Sequence, residues 1–187
     1  SNVISIANKF KKKFKDRFQF YQLRFSQMET VLKGETVDTI ILDLGLSSIQ
    51  LNNLDRGFSF KSQKNLDMTM GLTDKSAQYI INNLSESQLM LIIKILGEEK
   101  DAKKIARNIA KARVKKEITR VDELVNIIEK SKKKNFSTKI NPSTKTFQAL
   151  RIFVNKETTE LINGIIKASQ LLKPGGKILI VSFHSIE

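Results

Sequence analysis

The stretch VDTIILDLGLSSIQL, residues 37–51, decides the fold that this sequence predicts. Its first half is a run of β-branched and apolar residues, which is typical of a parallel strand covered on both faces. An acid, a glycine and two serines follow where that strand ends. Ligands of open α/β sheets bind beyond the carboxyl ends of the strands, so this turn is a candidate ligand site. The alternative is an ordinary strand-to-loop turn with a helix cap.

Two further strands are predicted from apolar runs. Residues 177–183 (KILIVSF) follow a helix stop and turn at 171–176. Residues 18–23 alternate aromatic and polar side chains, as a half-buried strand does. A helical pattern at 9–15 precedes the strand at 18–23, and another at 26–33 separates that strand from the next. Strands alternating with helices predict an α/β fold with a parallel sheet.

A long stretch without a strand pattern separates the second and third strands. It is far longer than the dozen or so residues that a parallel crossover requires, which favours an inserted all-helical domain. We expect this insertion at 57–142, with 1–56 and 143–187 forming the sheet domain. The first predicted helix spans 76–84. The second is opened by the capping box Ser85-Glu86-Ser87-Gln88 and ends at Gly97, and two more span 98–116 and 119–130. Asn141-Pro142 opens the last, which continues towards Leu172.

Composition restricts the class of protein. The 187 residues include 33 Lys and Arg against 19 Asp and Glu, a net charge of +14, which favours a nucleic acid as partner and, second, an acidic membrane surface. A Lys-rich genome is the alternative explanation. The absence of Cys excludes thiol nucleophiles and Cys-ligated zinc, and the single His excludes a multi-histidine metal site. No apolar run approaches the ~20 residues of a membrane span, so we expect no membrane partner. The absence of Cys suits a reducing cytoplasm, and with the single His it leads us to expect no metal site.

Basic residues cluster within the predicted insertion. A stripe at three- and four-residue spacing lies opposite the apolar face of the helix that begins near Glu98. A second cluster lies in the loop after the next helix, and Arg56 opens the segment RGFSF. We expect these groups to contact RNA; a solvated helix face is the alternative. The candidates are Arg56, Lys103, Lys104, Arg107, Lys111, Lys132, Lys133 and Lys134.

Six motifs in order resemble one family. The resemblance runs from about Phe18 to the end of the chain, and the series closely resembles the bacterial 16S ribosomal RNA cytosine-N4 methyltransferases, the RsmH or MraW family. Its motifs are DLGLSSIQL (43–51), RGFSF (56–60), LDMTM (66–70), GEEKDAKKIARNIAKAR (97–113), TFQALRIFVN (146–155) and LKPGGKILIVSFHSIE (172–187).

The resemblance implies a fold, a reaction and a cofactor. The fold is a Rossmann-like class I S-adenosylmethionine-dependent methyltransferase domain with an inserted all-helical domain. The reaction is methylation of the exocyclic N4 of a cytosine in the decoding centre of 16S ribosomal RNA. By position, Phe25, Asp43 and Gln50 match residues through which the family holds S-adenosylmethionine, with Phe25 beside the adenine.

Further roles are expected at the strand ends. Asp43 is the candidate acceptor for a hydrogen bond from the amine or from the cofactor's ammonium, and the sequence does not decide between them. Ser47 and Ser48 are candidates to orient the base. His184 follows the third strand, where a catalytic role competes with a structural one, and Phe183 is a candidate to stack on the extruded base.

The family's Gly-rich cofactor loop and ribose-binding acid have no counterpart here. We interpret the chain as a fragment of a longer enzyme, and the alternative function is a catalytically inactive, basic RNA-binding module. A nicotinamide-dependent enzyme has no support, because no G-x-G-x-x-G follows a predicted strand. Whether naked 16S ribosomal RNA or the small ribosomal subunit is the partner stays open, as does the oligomeric state.

Overall fold

The computed structural model describes residues 2–70, 75–132 and 141–186. The chain forms two compact units. The strand unit comprises Ser1–Asp43 and Thr159–Val181, and the helix unit comprises Leu44–Thr158 and Ser182–Glu187. The elements are α1 (Asn2–Phe14), α2 (Glu29–Leu32), β1 (Val37–Asp43), α3 (Ser48–Asn52), α4 (Ala77–Asn83), α5 (Glu86–Leu96), α6 (Ala102–Lys115), α7 (Val121–Ser131), α8 (Thr144–Asn155), α9 (Glu157–Leu171) and β2 (Leu172–Val181).

A two-stranded parallel sheet, β1 beside β2, organises the strand unit. The parallel pairing predicted from the strand–helix alternation is confirmed. Asp43 lies opposite Val181, so the two strands end together at one edge. Helices are present where the patterns at 9–15 and 26–33 predicted them, but α1 already begins at Asn2 and α2 spans only Glu29–Leu32. Lys33, with φ +47°, ends α2 in the left-handed conformation.

The turn predicted before the last strand instead lies inside β2. Val37 and Thr39 pair with Leu172 and Lys177, so four residues of β2 bulge out against one of β1. The proline of this bulge has no N–H to donate to the ladder, and the glycine that follows it has a φ of +81°. Pairing therefore resumes only after the bulge.

The strand predicted over residues 18–23 is wrong. The structure has an irregular segment there, in which Phe20, Tyr21 and Leu23 are exposed. The ring of Phe18 lies 5.7 Å from that of Phe10 on α1. Alternation describes side chains only, whereas a strand needs a neighbouring backbone to bond with, and no described residue offers one here.

The expectation that β1 is covered on both faces is also wrong for the described residues. Ile41 is 67 % exposed, and Leu179 of β2 is exposed as well. An apolar, β-branched run favours a strand wherever it pairs, but its burial depends on what packs above and below it. The sequence pattern therefore predicted the element correctly and its surroundings incorrectly.

The helix unit is built around the apolar faces of α4 to α8. The predicted capping box is confirmed: Ser85 Oγ accepts from the Gln88 N–H at 3.2 Å, and Gln88 Oε1 accepts from the Ser85 N–H at 2.9 Å. The predicted apolar face of α6 is buried. Fully buried large side chains of this unit include Leu66, Met68, Ile81, Leu89, Ile93, Ile105, Ile109, Leu124, Ile128 and Leu150.

Three predicted helix boundaries are wrong. The helix predicted from Glu98 begins at Ala102, because Glu98 has a φ of +48°. The N-cap of α8 is Ser143 and not Asn141, whose side chain accepts from the Ser143 N–H at 2.8 Å and makes a turn before the helix. Lys156, with φ +54°, divides the predicted continuous helix into α8 and α9.

Within the described residues between β1 and β2 the only β pairing is an isolated bridge between Asn65 and Arg120. That part of the chain is helical, as predicted. The inserted domain with boundaries at 57 and 142 stays a prediction.

Candidate active site

Asp43 is the last residue of β1, at the edge where both strands of the strand unit end. Its side chain is exposed, and no described cation forms an ion pair with it. The structure therefore places this acid at the carboxyl end of a strand, as the sequence predicted. An exposed carboxylate here is suited to accept hydrogen bonds from an ammonium or an amine.

Ser47 and Gln50, in the helix unit, form a reciprocal cap at the start of α3. Ser47 Oγ accepts from the Gln50 N–H at 3.3 Å, and Gln50 Oε1 accepts from the Ser47 N–H at 3.0 Å. The Ser47 hydroxyl also donates to Gln50 Oε1. The S-x-x-Q spacing is the sequence signal for this cap. Because the cap uses the oxygen of Gln50, its amide nitrogen is the group suited to donate to a ligand.

Phe25, in the strand unit, is positioned by α9. It opens a short 3-10 turn, and its half-buried ring lies against Gly164. A Cβ on Gly164 would lie 2.3 Å from Phe25 Cδ2, so only glycine admits the ring at this distance. The Ser26 hydroxyl donates to Glu160 Oε1 at 2.8 Å, and Arg24 lies 3.6 Å from the same oxygen. These contacts fix the ring for which the family resemblance implies a place beside the adenine.

His184, in the helix unit, lies beside two residues that the sequence reasoning did not single out. Its Nε2 lies 3.2 Å from Nη2 of Arg151. Arg151 Nε and Nη2 donate to the two carboxylate oxygens of Glu157, each at 2.9 Å. The side chains of Arg151 and Glu157 are 13 % and 16 % exposed. Arg151 lies in the motif TFQALRIFVN, which the sequence analysis noted. Glu157 begins a new helix after the break at Lys156, and the helical pattern of the sequence did not predict that break.

Arg56 holds its own loop together. Its guanidinium donates to the carbonyl oxygen of Thr69 and lies 5.3 Å from the ring centroid of Phe58. Gly57, with φ +70°, lies against the backbone of Asn65, where a Cβ would be 2.6 Å from the carbonyl oxygen. The motifs RGFSF and LDMTM, separate in sequence, are therefore packed on each other.

Asn155 joins the motif LDMTM to the end of α8. Its Oδ1 accepts from the Met70 N–H at 2.7 Å, while its Nδ2 donates to the carbonyl oxygens of Met68 at 2.8 Å and Arg151 at 2.9 Å. The sequence reasoning missed this residue, because an Asn at the end of a helical pattern resembles an ordinary helix stop.

The α6 stripe, Lys103, Lys104, Arg107 and Lys111, is exposed along its whole length. Arg107 Nε lies 3.8 Å from Glu86, and both of these side chains are about half exposed, so the pair is loose. The apolar face of α6 is buried on the opposite side. The geometry leaves the stripe accessible to a polyanion.

Lys132 differs from the α6 stripe. Its ammonium lies 2.5 Å from Glu99 Oε2 and donates to the carbonyl oxygen of Pro142 at 2.6 Å. Glu99 is 4 % exposed and the Lys132 side chain 17 %. Both partners are withdrawn from solvent, so this lysine neutralises a buried acid. Lys133 and Lys134 lie outside the described residues.

Comparison with known proteins identifies the family. Residues 1–187 match the family model described as the MraW methylase family. The chain belongs to the MraW methylase family. It is 43% identical over 186 residues to the ribosomal RNA small subunit methyltransferase H of Bartonella grahamii, covering 100% of the chain and 56% of that protein. The values are 44% over 178 residues for its namesake in Ehrlichia canis (93% and 60%) and 39% over 190 residues in Brucella ovis (99% and 55%).

The chain spans about half the length of the curated relatives it matches. Membership of the MraW methylase family implies a methyl donor, which for methyltransferases is typically S-adenosylmethionine. The residue types fit the chemistry of this donor: Asp43 offers a carboxylate, Gln50 an amide and Phe25 an aromatic ring. Asp43 and Phe25 belong to the strand unit, and Gln50 belongs to the helix unit.

Two other features are absent from the described residues. No described helix has the length and apolar character needed to cross a membrane. In residues 2–70, 75–132 and 141–186, no group of three acidic or histidine side chains is arranged to hold a metal ion.

Proposed function

We propose that the protein containing this chain methylates the exocyclic N4 of a cytosine in the decoding centre of 16S ribosomal RNA, with S-adenosylmethionine as donor. The observation that carries the proposal is the match over residues 1–187 to the MraW methylase family. Relatives named ribosomal RNA small subunit methyltransferase H support the substrate class. The proposed fold is a Rossmann-like class I domain with a helical insertion, acting on ribosomal RNA or the small subunit in the cytoplasm.

The reaction is an in-line displacement. When bound, the donor would supply an electrophilic methyl group on a sulfonium, with Asp43, Gln50 and Phe25 as the residues proposed to hold it. The amine nitrogen would bond to that carbon as the carbon–sulfur electron pair goes to sulfur, and the amine would then lose a proton. The amine lone pair is delocalised into the ring, so it is a poor nucleophile until an acceptor draws on its N–H. Alignment of the two reactants supplies much of the rate.

Asp43 is the proposed acceptor. Its carboxylate is exposed at the edge where β1 and β2 end. It either accepts the amine's hydrogen bond or holds the cofactor's ammonium, and these roles have different kinetic consequences. Ser47 and Ser48 are proposed to orient the base through their hydroxyls; the side chain of Ser48 lies outside the part that the structure describes.

The α6 stripe is the proposed contact with the RNA backbone. Its side chains are exposed and carry positive charge opposite a buried apolar face. Phosphate contacts of this kind position an RNA without reading its sequence. Lys132 pairs with Glu99, and Arg56 donates to the Thr69 carbonyl. We assign to both residues the role of holding the loops of the helix unit in place.

The test uses the complete protein that contains this chain. Methyl transfer is measured from radiolabelled S-adenosylmethionine to small subunits that lack the modification, and the product nucleoside is identified by mass. We expect N4-methylcytidine from the unaltered protein. RNA binding without cofactor binding or transfer would favour the inactive RNA-binding alternative.

Asp43→Asn is the decisive variant, because it removes the charge and keeps the shape. We expect turnover to fall at least roughly 10²-fold, the lower end of general acid–base contributions. A rise in the cofactor's dissociation constant, measured by calorimetry, assigns Asp43 to the ammonium, and unchanged affinity assigns it to the amine. Asp38→Asn, on the same strand and paired with Lys173, is the matched control. Unchanged turnover and affinity for Asp43→Asn contradict both roles.

A further inference from the structure

The segment 182–186, which follows β2, is held to the helix unit at two points. His184 meets Arg151 of α8, and the Ser185 hydroxyl donates to Glu98 Oε2 at 2.9 Å. The neighbouring Phe183 is 73 % exposed. An aromatic side chain is thus presented to solvent beside two anchored residues.

The contact with Arg151 indicates which tautomer of the His184 ring is present. A guanidinium has only donors, so His184 Nε2 accepts at 3.2 Å and carries no proton. The neutral ring then has its proton on Nδ1. A proton on Nε2 would place two N–H donors against each other, and a ring protonated on both nitrogens would add a second positive charge.

Neither ring nitrogen of His184 is placed to carry a proton for the reaction. Nε2 is occupied by Arg151, and Nδ1 is shielded from solvent. Arg151 in turn is fixed by the two-point ion pair with Glu157, which leaves its guanidinium little freedom to turn away.

We propose that His184 is a positioning residue: Arg151, held by Glu157, anchors the segment 182–186 through His184 and so presents the Phe183 ring as a stacking platform for the planar target base. This inference rests on the proposed function for the identity of the base. An exposed phenyl ring is suited to an unstacked base, since base–aromatic stacking is tolerant of sequence.

The anchor is tested first without reference to activity. In the complete protein labelled with ¹⁵N-histidine, the imidazole signal that His184→Gln removes belongs to His184, the single histidine of residues 1–187. We expect Nε2 in the unprotonated range and Nδ1 in the protonated range. Arg151→Met should shift the ring towards the Nε2–H form that unconstrained histidine favours. Arg120→Met, which removes an exposed pair with Asp122, is the control and should leave the signals unchanged.

A neutral His184 with its proton on Nε2 in the unaltered chain overturns the anchor. An unchanged spectrum of a folded Arg151→Met also overturns it. If this variant fails to fold, Glu157→Gln serves in its place, because it loosens the guanidinium and leaves Arg151 present; we expect a partial shift in the same direction.

The role in catalysis is tested in the complete protein by separating KM from kcat. Glutamine carries a polar group at about the position of Nε2, so His184→Gln should keep kcat within about threefold, whereas His184→Leu should raise KM for the RNA. A proton-carrying histidine would instead lose roughly 10²-fold or more in kcat in both variants. That result overturns the positioning role.

The platform has its own pair of variants. Phe183→Ala should raise KM for the RNA by roughly 5- to 150-fold, which corresponds to the stacking of one base. Phe183→Trp should restore binding, and cofactor affinity should not change in either. Equal KM for Phe183→Ala and the unaltered protein overturns the platform. If the unaltered complete protein transfers no methyl group, the proposed function fails, while the imidazole spectrum still decides the anchor.

Discussion

The side-chain oxygen of Asn155 accepts a hydrogen bond from the backbone N–H of Met70 at 2.7 Å, joining positions 85 residues apart. The amide nitrogen of the same side chain donates to the Met68 carbonyl at 2.8 Å. One buried amide therefore satisfies backbone groups on both sides of Thr69. This single residue connects the loop of the LDMTM motif to α8.

Asn155→Leu should destabilise the chain by about 1–3 kcal/mol, the usual cost of buried backbone groups that lose their partners. The measurement is urea denaturation followed by circular dichroism. Asn126→Leu, at an exposed position of α7, is the control and should change the free energy of unfolding little. Equal stability of the two variants would mean that water replaces the amide and that the loop does not depend on it.

The position of Phe25 depends on Gly164 in α9. By helix propensity alone, Gly164→Ala should stabilise a helix by up to about 1 kcal/mol. Since the new Cβ would lie 2.3 Å from the Phe25 ring, we expect net destabilisation instead. The double variant Gly164→Ala, Phe25→Ala should recover the helix-propensity gain relative to Phe25→Ala. A stabilised Gly164→Ala single variant would show that the ring lies elsewhere.

Glu123 in α7 gives the helix unit a dependence on pH. The Lys116 ammonium, 2.7 Å away, and the N–H groups of Thr119 and Arg120 together lower the pKa of Glu123 to about 2, against the opposing effect of burial. A lowered pKa means that the stabilisation is present above the ordinary pKa of glutamate and is lost as pH falls towards 2.

We therefore expect the melting temperature to fall between about pH 5 and pH 2, and Glu123→Gln to make that part of the profile shallower. Glutamine keeps an acceptor for the backbone N–H groups, so the variant isolates the charge. Glu129→Gln, at an exposed position of the same helix, is the control. Parallel profiles for the unaltered chain and Glu123→Gln would contradict the assignment.

The sequence predicted elements better than it predicted contacts. β1 could be predicted because a run of β-branched residues is a local sequence pattern. The Ser85 cap could be predicted for the same reason, since its S-x-x-Q spacing is local. Residues 18–23 failed for the opposite reason: a strand exists only with a neighbour. The helix break at Lys156 could not be predicted, because no glycine or proline lies near it in the sequence.

The candidate site was predictable where its residues lie at strand ends. Asp43 follows directly from the position of β1. Arg151, Glu157 and Asn155 were missed, because each acts on a residue at least six positions away or across the unit, and no local pattern encodes such contacts. Lys132 looked like its basic neighbours, and only the buried Glu99 distinguishes it.

The α6 stripe provides the last prediction, which concerns the path of the RNA. Neutralising Lys104 and Arg107 together should weaken binding of all RNAs to a similar degree, since phosphate contacts carry no sequence information. The plot of log affinity against log salt should flatten by about 0.7–0.9 for each phosphate that the protein no longer neutralises. The measurement is a salt titration of RNA binding by the complete protein carrying Lys104→Ala and Arg107→Ala.

The matched control removes the same number of charges from other exposed helix positions, Lys94→Ala and Lys130→Ala. A general effect of net charge would change RNA affinity equally in both double variants, because each variant lowers the net charge by two. A contact at the α6 stripe changes the slope only in the first. An unaltered slope for Lys104→Ala, Arg107→Ala would assign the stripe to solvent and require that the RNA follow another surface.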